Sequence, residues 1–177
     1  MPLGARVAVA NVYAFDKLIS ETRRLAVEYR KATGKPLAVT GELARHDAAR
    51  LLGLELVDET GLGYDAIGRG DREGLRVHVK GRAIFDEERG KPRIGQMNRD
   101  QDWDLLVLVL MDEDFEPVEI YEVERDVIDE ILEQTADSGR GRRGAMSVAR
   151  VKIIGRLAWS REHGIEDDGY WDNQANG

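Results

Sequence analysis

The chain has no cysteine. Disulfides, zinc–thiolate centres and thiol nucleophiles are thereby excluded, and a reducing compartment is accommodated. No apolar run approaches the roughly eighteen residues of a membrane-spanning helix. The longest, Leu105 to Met111, suits a buried strand. No N-terminal signal pattern is visible, so a cytoplasmic protein is the expectation. Internal repeats are missing. No Ser/His/Asp spacing supports nucleophilic catalysis, and His46 and His163 stand in no metal-like motif. The stretch GLGYDAIGRG carries glycines but not the strand–GxGxxG–helix order of dinucleotide binding. Positive charge is also short: the net charge of −8 argues against a general binder of polyanions.

What is present fits one domain with extensions. The 177 residues suffice for a proper core, and the balance of 42% hydrophobic and 34% charged residues is that of a soluble globular chain. Charge is unevenly placed. Asp112 to Asp137 is heavily acidic, whereas from Arg140 to Arg156 the charged residues are all basic: Arg140, Arg142, Arg143, Arg150, Lys152 and Arg156. Such a basic arm on an acidic body can contact phosphates, or simply compensate the acids before it.

Periodicity gives the organisation. Residues 12–32 read as an amphipathic helix stopped by Gly34 and Pro36, a packing or dimerisation element. A second helix is expected over 41–52 with Thr40 as its N-cap, Gly53 as its end and Glu42 in its first turn. Strands are expected near 54–57, 63–68, 75–81, 104–111 and 118–123, followed by a helix over 125–134. The polar loop 85–102 offers Arg82 (just before it), Lys91, Arg93, Gln96 and Arg99 for phosphate or base contacts. A helix over 147–159, capped by Ser147, carries Arg150, Lys152 and Arg156 on one side. The units are then an N-terminal helical extension (1–36), an α/β core ending in a basic helix (37–160) and a loosely ordered acidic tail (161–177).

The most informative stretch is GYDAIGRGDREGLRVHVKGR, residues 63–82, which reads as a β-hairpin turning at Gly68, Gly70, Asp71 and Gly74. Leu75, Val77 and Val79 face one way along its second strand, and Arg76, His78 and Lys80 the other. Asp65 opens the first strand. Asp58 and Glu59 lie just ahead of it as turn acids.

This arrangement resembles the PD-(D/E)XK nuclease superfamily, the restriction-endonuclease-like fold, over roughly residues 37–135. Asp65 matches the family's first Asp, Lys80 its Lys and Glu42 its helical acid. His78 stands where the family has Asp, Glu or sometimes Gln. The resemblance implies an α/β fold with a mixed central sheet of about five strands flanked by helices. It implies a metal-dependent DNA endonuclease of restriction, repair or defence type, commonly dimeric, with helix 12–32 as the candidate contact. Mg²⁺ or Mn²⁺ would be held by Asp65, Glu42, His78 and the Val79 carbonyl, while Lys80 would orient or deprotonate the attacking water. Imidazole suits Mn²⁺ better than Mg²⁺, so His78 is open to three readings: a ligand, a general base beside Lys80, or the mark of a silent site. The alternative function is accordingly a catalytically inactive nuclease-fold protein that binds nucleic acid or a protein partner as an accessory subunit.

Overall fold

The computed structural model describes residues 7–59, 61–85, 90–97, 100–136 and 145–166, with side chains from residue 14 onward. Arg99, Arg140, Arg142 and Arg143 lie outside the described residues. The elements are helices α1 (Val7–Thr33), α2 (Thr40–Leu52), α3 (Arg125–Gln134) and α4 (Val148–Ile154), and strands β1 (Glu55–Leu56), β2 (Ala66–Ile67), β3 (Arg76–Ala83), β4 (Leu105–Met111), β5 (Pro117–Glu124), β6 (Arg156–Ser160) and β7 (Gly164–Ile165). No helix among the described residues is long and apolar enough to cross a membrane.

The strands form one mixed sheet in sequence order, β1 to β7. Among the described residues it has seven strands where the sequence predicts about five. Only β3 and β4 run parallel, with Val77 opposite Leu105 and Lys80 opposite Leu108; every other described pairing is antiparallel. β4 is buried along its whole length, as an uninterrupted Val/Leu run requires of a strand covered on both faces.

Alternation assigns the faces. Val77, Val79, Val107, Val109, Ile120 and Ala158 pack with Leu43, Ala44 and Ala48 of α2 and Ala26 of α1. Leu106, Leu108, Leu110, Tyr121 and Val123 face the opposite layer, made by Ile128 and Leu132 of α3, Val148 and Val151 of α4, and Ile94 and Met97. His78 and Lys80, which alternate with Val77 and Val79, therefore face away from α2. At Gly81 α2 lies tightly against β3: a Cβ there would lie 2.6 Å from the Ala44 Cβ.

Three local differences from the sequence pattern have physical reasons. The helix expected over 147–159 stops at Ile154, because Gly155 sits extended at its C-cap, and the chain continues as β6. β7 lies in the segment expected to be a loose tail. Thr40 is the first helical residue rather than the cap; Val39 holds the N-cap position with no side-chain hydrogen bond. Ser147 does cap α4, accepting from the Arg150 amide. The 85–102 loop is partly fixed: Ile94 and Met97 are buried, and the Ile94 amide donates to the Met146 carbonyl at 2.9 Å.

Candidate functional site

Asp65 stands one residue before β2. Its backbone continues the pairing, its amide donating to the Val77 carbonyl at 2.8 Å and its carbonyl accepting from the Val57 amide at 2.9 Å. The carboxylate is thus held at the end of the short strand. Oδ2 lies 3.2 Å from His78 Nδ1 and accepts the Val79 amide at 2.8 Å. Oδ1 faces Arg45 Nε at 3.4 Å. Burial pushes this carboxyl up, but the His78 contact, the Val79 amide and the Arg45 charge together hold it below the ordinary Asp value.

Arg45 is the site residue that the sequence reading missed. It lies one helical turn after Glu42 on α2, and its guanidinium spans three groups: Glu42 at 3.3 Å, the Val57 carbonyl at 3.2 Å and Asp65. Its buried Nε has no hydrogen-bond partner among the described residues. Glu42 is exposed and reaches Asp65 only through this guanidinium.

Lys80 sits two residues beyond His78 on the same face of β3. Its ammonium donates to the Gln96 carbonyl at 2.9 Å. Burial lowers its pKa from the usual 10.5, against the opposing pull of Asp65. His78 also lies against Trp103, with ring centroids 5.7 Å apart.

A cleft of about 310 Å³ opens beside this group, lined among others by Arg45, Asp58, Glu59, Tyr64, Asp65 and His78. Asp58 and Glu59 are exposed at it, so the two turn acids do belong to the site's surroundings. Lys80 is not part of the lining.

The expected metal ligands are therefore only partly assembled. Asp65 and His78 are adjacent. Val79 presents its amide to Asp65, and in an extended strand the carbonyl of the same residue opens on the same edge. Glu42 is turned to Arg45. Among the described residues no group of three or more His, Asp or Glu side chains is gathered to hold a metal ion. A carboxylate, a backbone carbonyl and a neighbouring imidazole fit a divalent ion in chemistry, Mn²⁺ better than Mg²⁺.

The expected phosphate contacts separate into two groups. Arg93 donates to the Ala145 carbonyl at 2.8 Å, Lys152 pairs with Glu119 at 2.6 Å, and Arg156 pairs with Glu122. These three hold the fold together or balance the acids of β5. Arg82, Gln96 and Arg150 are exposed.

No family model matches this chain. No curated protein matches it significantly.

Proposed function

We propose that the chain is a phosphodiester hydrolase acting on DNA, an endonuclease with a restriction-endonuclease-like core. The observation that carries this reading is the convergence of Asp65 and His78 at the mouth of a cleft, with Lys80 following on the same strand face.

In this reading Asp65 fixes the His78 tautomer by accepting from Nδ1–H, which leaves Nε2 as the proton acceptor. His78 then takes a proton from water as the water oxygen bonds to phosphorus and the opposite P–O bond breaks. Negative charge grows on the non-bridging oxygens. Arg45, which lines the cleft, and Lys80, on the same strand face as His78, supply the compensating positive charge. The departing oxygen leaves with a proton from solvent. Mg²⁺ or Mn²⁺ is the proposed cofactor; held by Asp65 and the Val79 carbonyl, it would polarise the phosphoryl group and lower the pKa of bound water. DNA would approach past the exposed Arg82 and Arg150.

A second reading is favoured by Arg45 itself. A guanidinium lies between Glu42 and Asp65, where the resemblance places a metal, and Lys80 is engaged by Gln96. Both features suit a catalytically silent member of the fold that binds nucleic acid or a protein.

The deciding experiment is cleavage of plasmid, branched and single-stranded DNA with Mg²⁺, with Mn²⁺ and with chelator, comparing the parent with Asp65→Ala, His78→Ala and Lys80→Ala. Nicking that disappears in all three variants supports the hydrolase, and the chelator lane decides the cofactor. A folded parent that cuts nothing under any condition leaves the silent binding module.

A further inference from the structure

We propose that the cleft beside Asp65 and His78 is a subsite for one unpaired nucleobase that carries an amino group, and that Gln101 reads this base. The inference rests on the hydrolase reading. That reading puts the scissile phosphate at His78 and leaves the cleft to the neighbouring nucleotide of the same strand.

Gln101 lines the cleft but belongs to no helix or strand. It is nevertheless fixed from two sides. Arg125, at the start of α3, donates to its backbone carbonyl and, at 3.2 Å, to that of Trp103. On the other side Gln101 lies over Gly63: a Cβ on Gly63 would stand 2.6 Å from the Gln101 Cβ and 3.2 Å from its Cδ. Gly63 also has a φ of 85°, in the left-handed region that favours glycine. The carboxamide so placed makes no hydrogen bond with any described residue. Its N–H donors and its carbonyl acceptor are left for a ligand.

The rest of the lining selects that ligand. At about 310 Å³ the cleft is at the small end of ligand pockets, which run from roughly 300 to 1,000 Å³. That is room for one ring system rather than a stacked pair of bases. Asp58 and Glu59, exposed at the cleft, repel a phosphate and accept N–H groups. Arg45, in the same lining, disfavours a second cation and donates to ring nitrogens or carbonyls. A neutral group with amino donors beside acceptors satisfies both; a phosphate or an ammonium satisfies one. Tyr64 adds an aromatic side chain, of the kind on which bases stack. A glutamine pairs with adenine through its amino group and N7, and a carboxylate accepts from the amino group of cytosine; thymine has none. A base inside a duplex cannot enter such a pocket without leaving its stack, so the favoured substrate is unpaired.

Fluorescence anisotropy of labelled dC, dA and dT octamers and of a hairpin duplex, with the full chain in chelator, tests this by binding alone. The dC and dA strands are expected to bind roughly fivefold or more tighter than dT, and the hairpin more weakly than either. Gln101→Ala is expected to remove the dA preference. Gly63→Ala should do the same, since it deletes no polar group but displaces Gln101. Asp58→Ala/Glu59→Ala is expected to remove the dC preference while raising affinity for every strand. Circular dichroism and urea midpoints confirm each fold. A parent that binds no strand, binds dT as tightly as dC and dA, or binds a labelled lysine peptide more tightly than any strand overturns the proposal. So does a dA preference that survives Gln101→Ala. Base preference in a chain that cuts nothing keeps the subsite and removes the hydrolase; cutting without base preference does the reverse.

Discussion

The Asp65 carboxylate joins His78 Nδ1 at 3.2 Å with the same oxygen that accepts the Val79 amide. One carboxylate oxygen thus touches the ring and is itself fixed by the backbone of the strand that carries the ring. On the proposed hydrolase reading, replacing His78 should cost more activity than stability. His78→Ala is expected to slow cleavage roughly 10²–10⁴-fold with the fold retained, the usual contribution of a positioned acid–base group. Asp65→Asn keeps one oxygen for both the Val79 amide and His78 Nδ1 but loses the negative charge that would stabilise a protonated ring. It should therefore lose activity at near-parental stability. Asp65→Ala also strands the Val79 N–H, costing about 1–3 kcal/mol. Cleavage rates beside urea midpoints separate these effects, and an Asp65→Asn variant as active as the parent would remove the dyad from the mechanism.

Acid should weaken the fold through its paired carboxylates. Arg76 hydrogen-bonds the Asp104 carboxylate at 2.8 and 2.9 Å and holds its pKa down at about 2, from an ordinary 3.8. Asp65 and Asp112 are shifted in the same direction. The folded form binds these protons less tightly than the unfolded chain. Their stabilisation is therefore complete above the ordinary value and drains away as pH falls below it, for Asp104 towards about 2. Asp104→Asn is expected to lower the melting temperature at neutral pH and to flatten its decline in acid. Thermal melts followed downward in pH check this; an unchanged acid slope would show that Asp104 does not contribute.

Some of this architecture was legible in the residues and some was not. The unbroken run from Leu105 to Met111 has only one comfortable place, the middle of a sheet, and that is where it lies. The alternation of Val77 and Val79 with His78 and Lys80 set the two faces of β3 correctly. β6 was hidden because Val148, Val151, Ile154 and Trp159 fall close enough to a helical repeat to read as one stripe. Gly155 was the available signal, since a glycine ending a helix lets the next residues change direction. Arg45 belongs to no acid pattern, so its role was not legible, yet it lies one turn after Glu42 and approaches Asp65 at 3.4 Å. In the 85–102 loop, Ile94 and Met97 were the clue to anchorage: apolar side chains in a polar segment are there to be buried.

The pairing of α1 with α2 rests on a buried charge. Arg23 donates to both oxygens of Asp47 at 2.8 and 3.0 Å and also to the Phe115 carbonyl, while the Asp47 side chain is fully buried. Removing Arg23 leaves the buried Asp47 with the more distant Arg50 at 3.6 Å, and removing Asp47 leaves Arg23 with Glu116 at 3.5 Å, so the loss is up to about 3–5 kcal/mol. Arg23→Met should show this loss in its urea midpoint. The double variant Arg23→Met/Asp47→Leu should recover much of it, because apolar side chains of similar size often replace a buried ion pair at little cost. A double variant as unstable as the single one would mean that the Arg23–Phe115 contact, rather than the ion pair, is what counts.

Gly81 links packing to the site. A Cβ at this position would stand 2.6 Å from the Ala44 Cβ and 2.9 Å from the Thr40 carbonyl oxygen, a methyl and a backbone atom that cannot swing aside. Gly81→Ala must therefore push α2 off β3, at about 1–3 kcal/mol for an overpacked contact. α2 carries Arg45, so the same displacement loosens its 3.4 Å approach to Asp65. Activity should fall by more than the loss of stability alone accounts for at a temperature where the variant is fully folded. Ala44→Gly in the Gly81→Ala background removes the closer of the two clashes and is expected to restore part of both. Restored stability without restored activity would show that the position of α2 is not what sets the site.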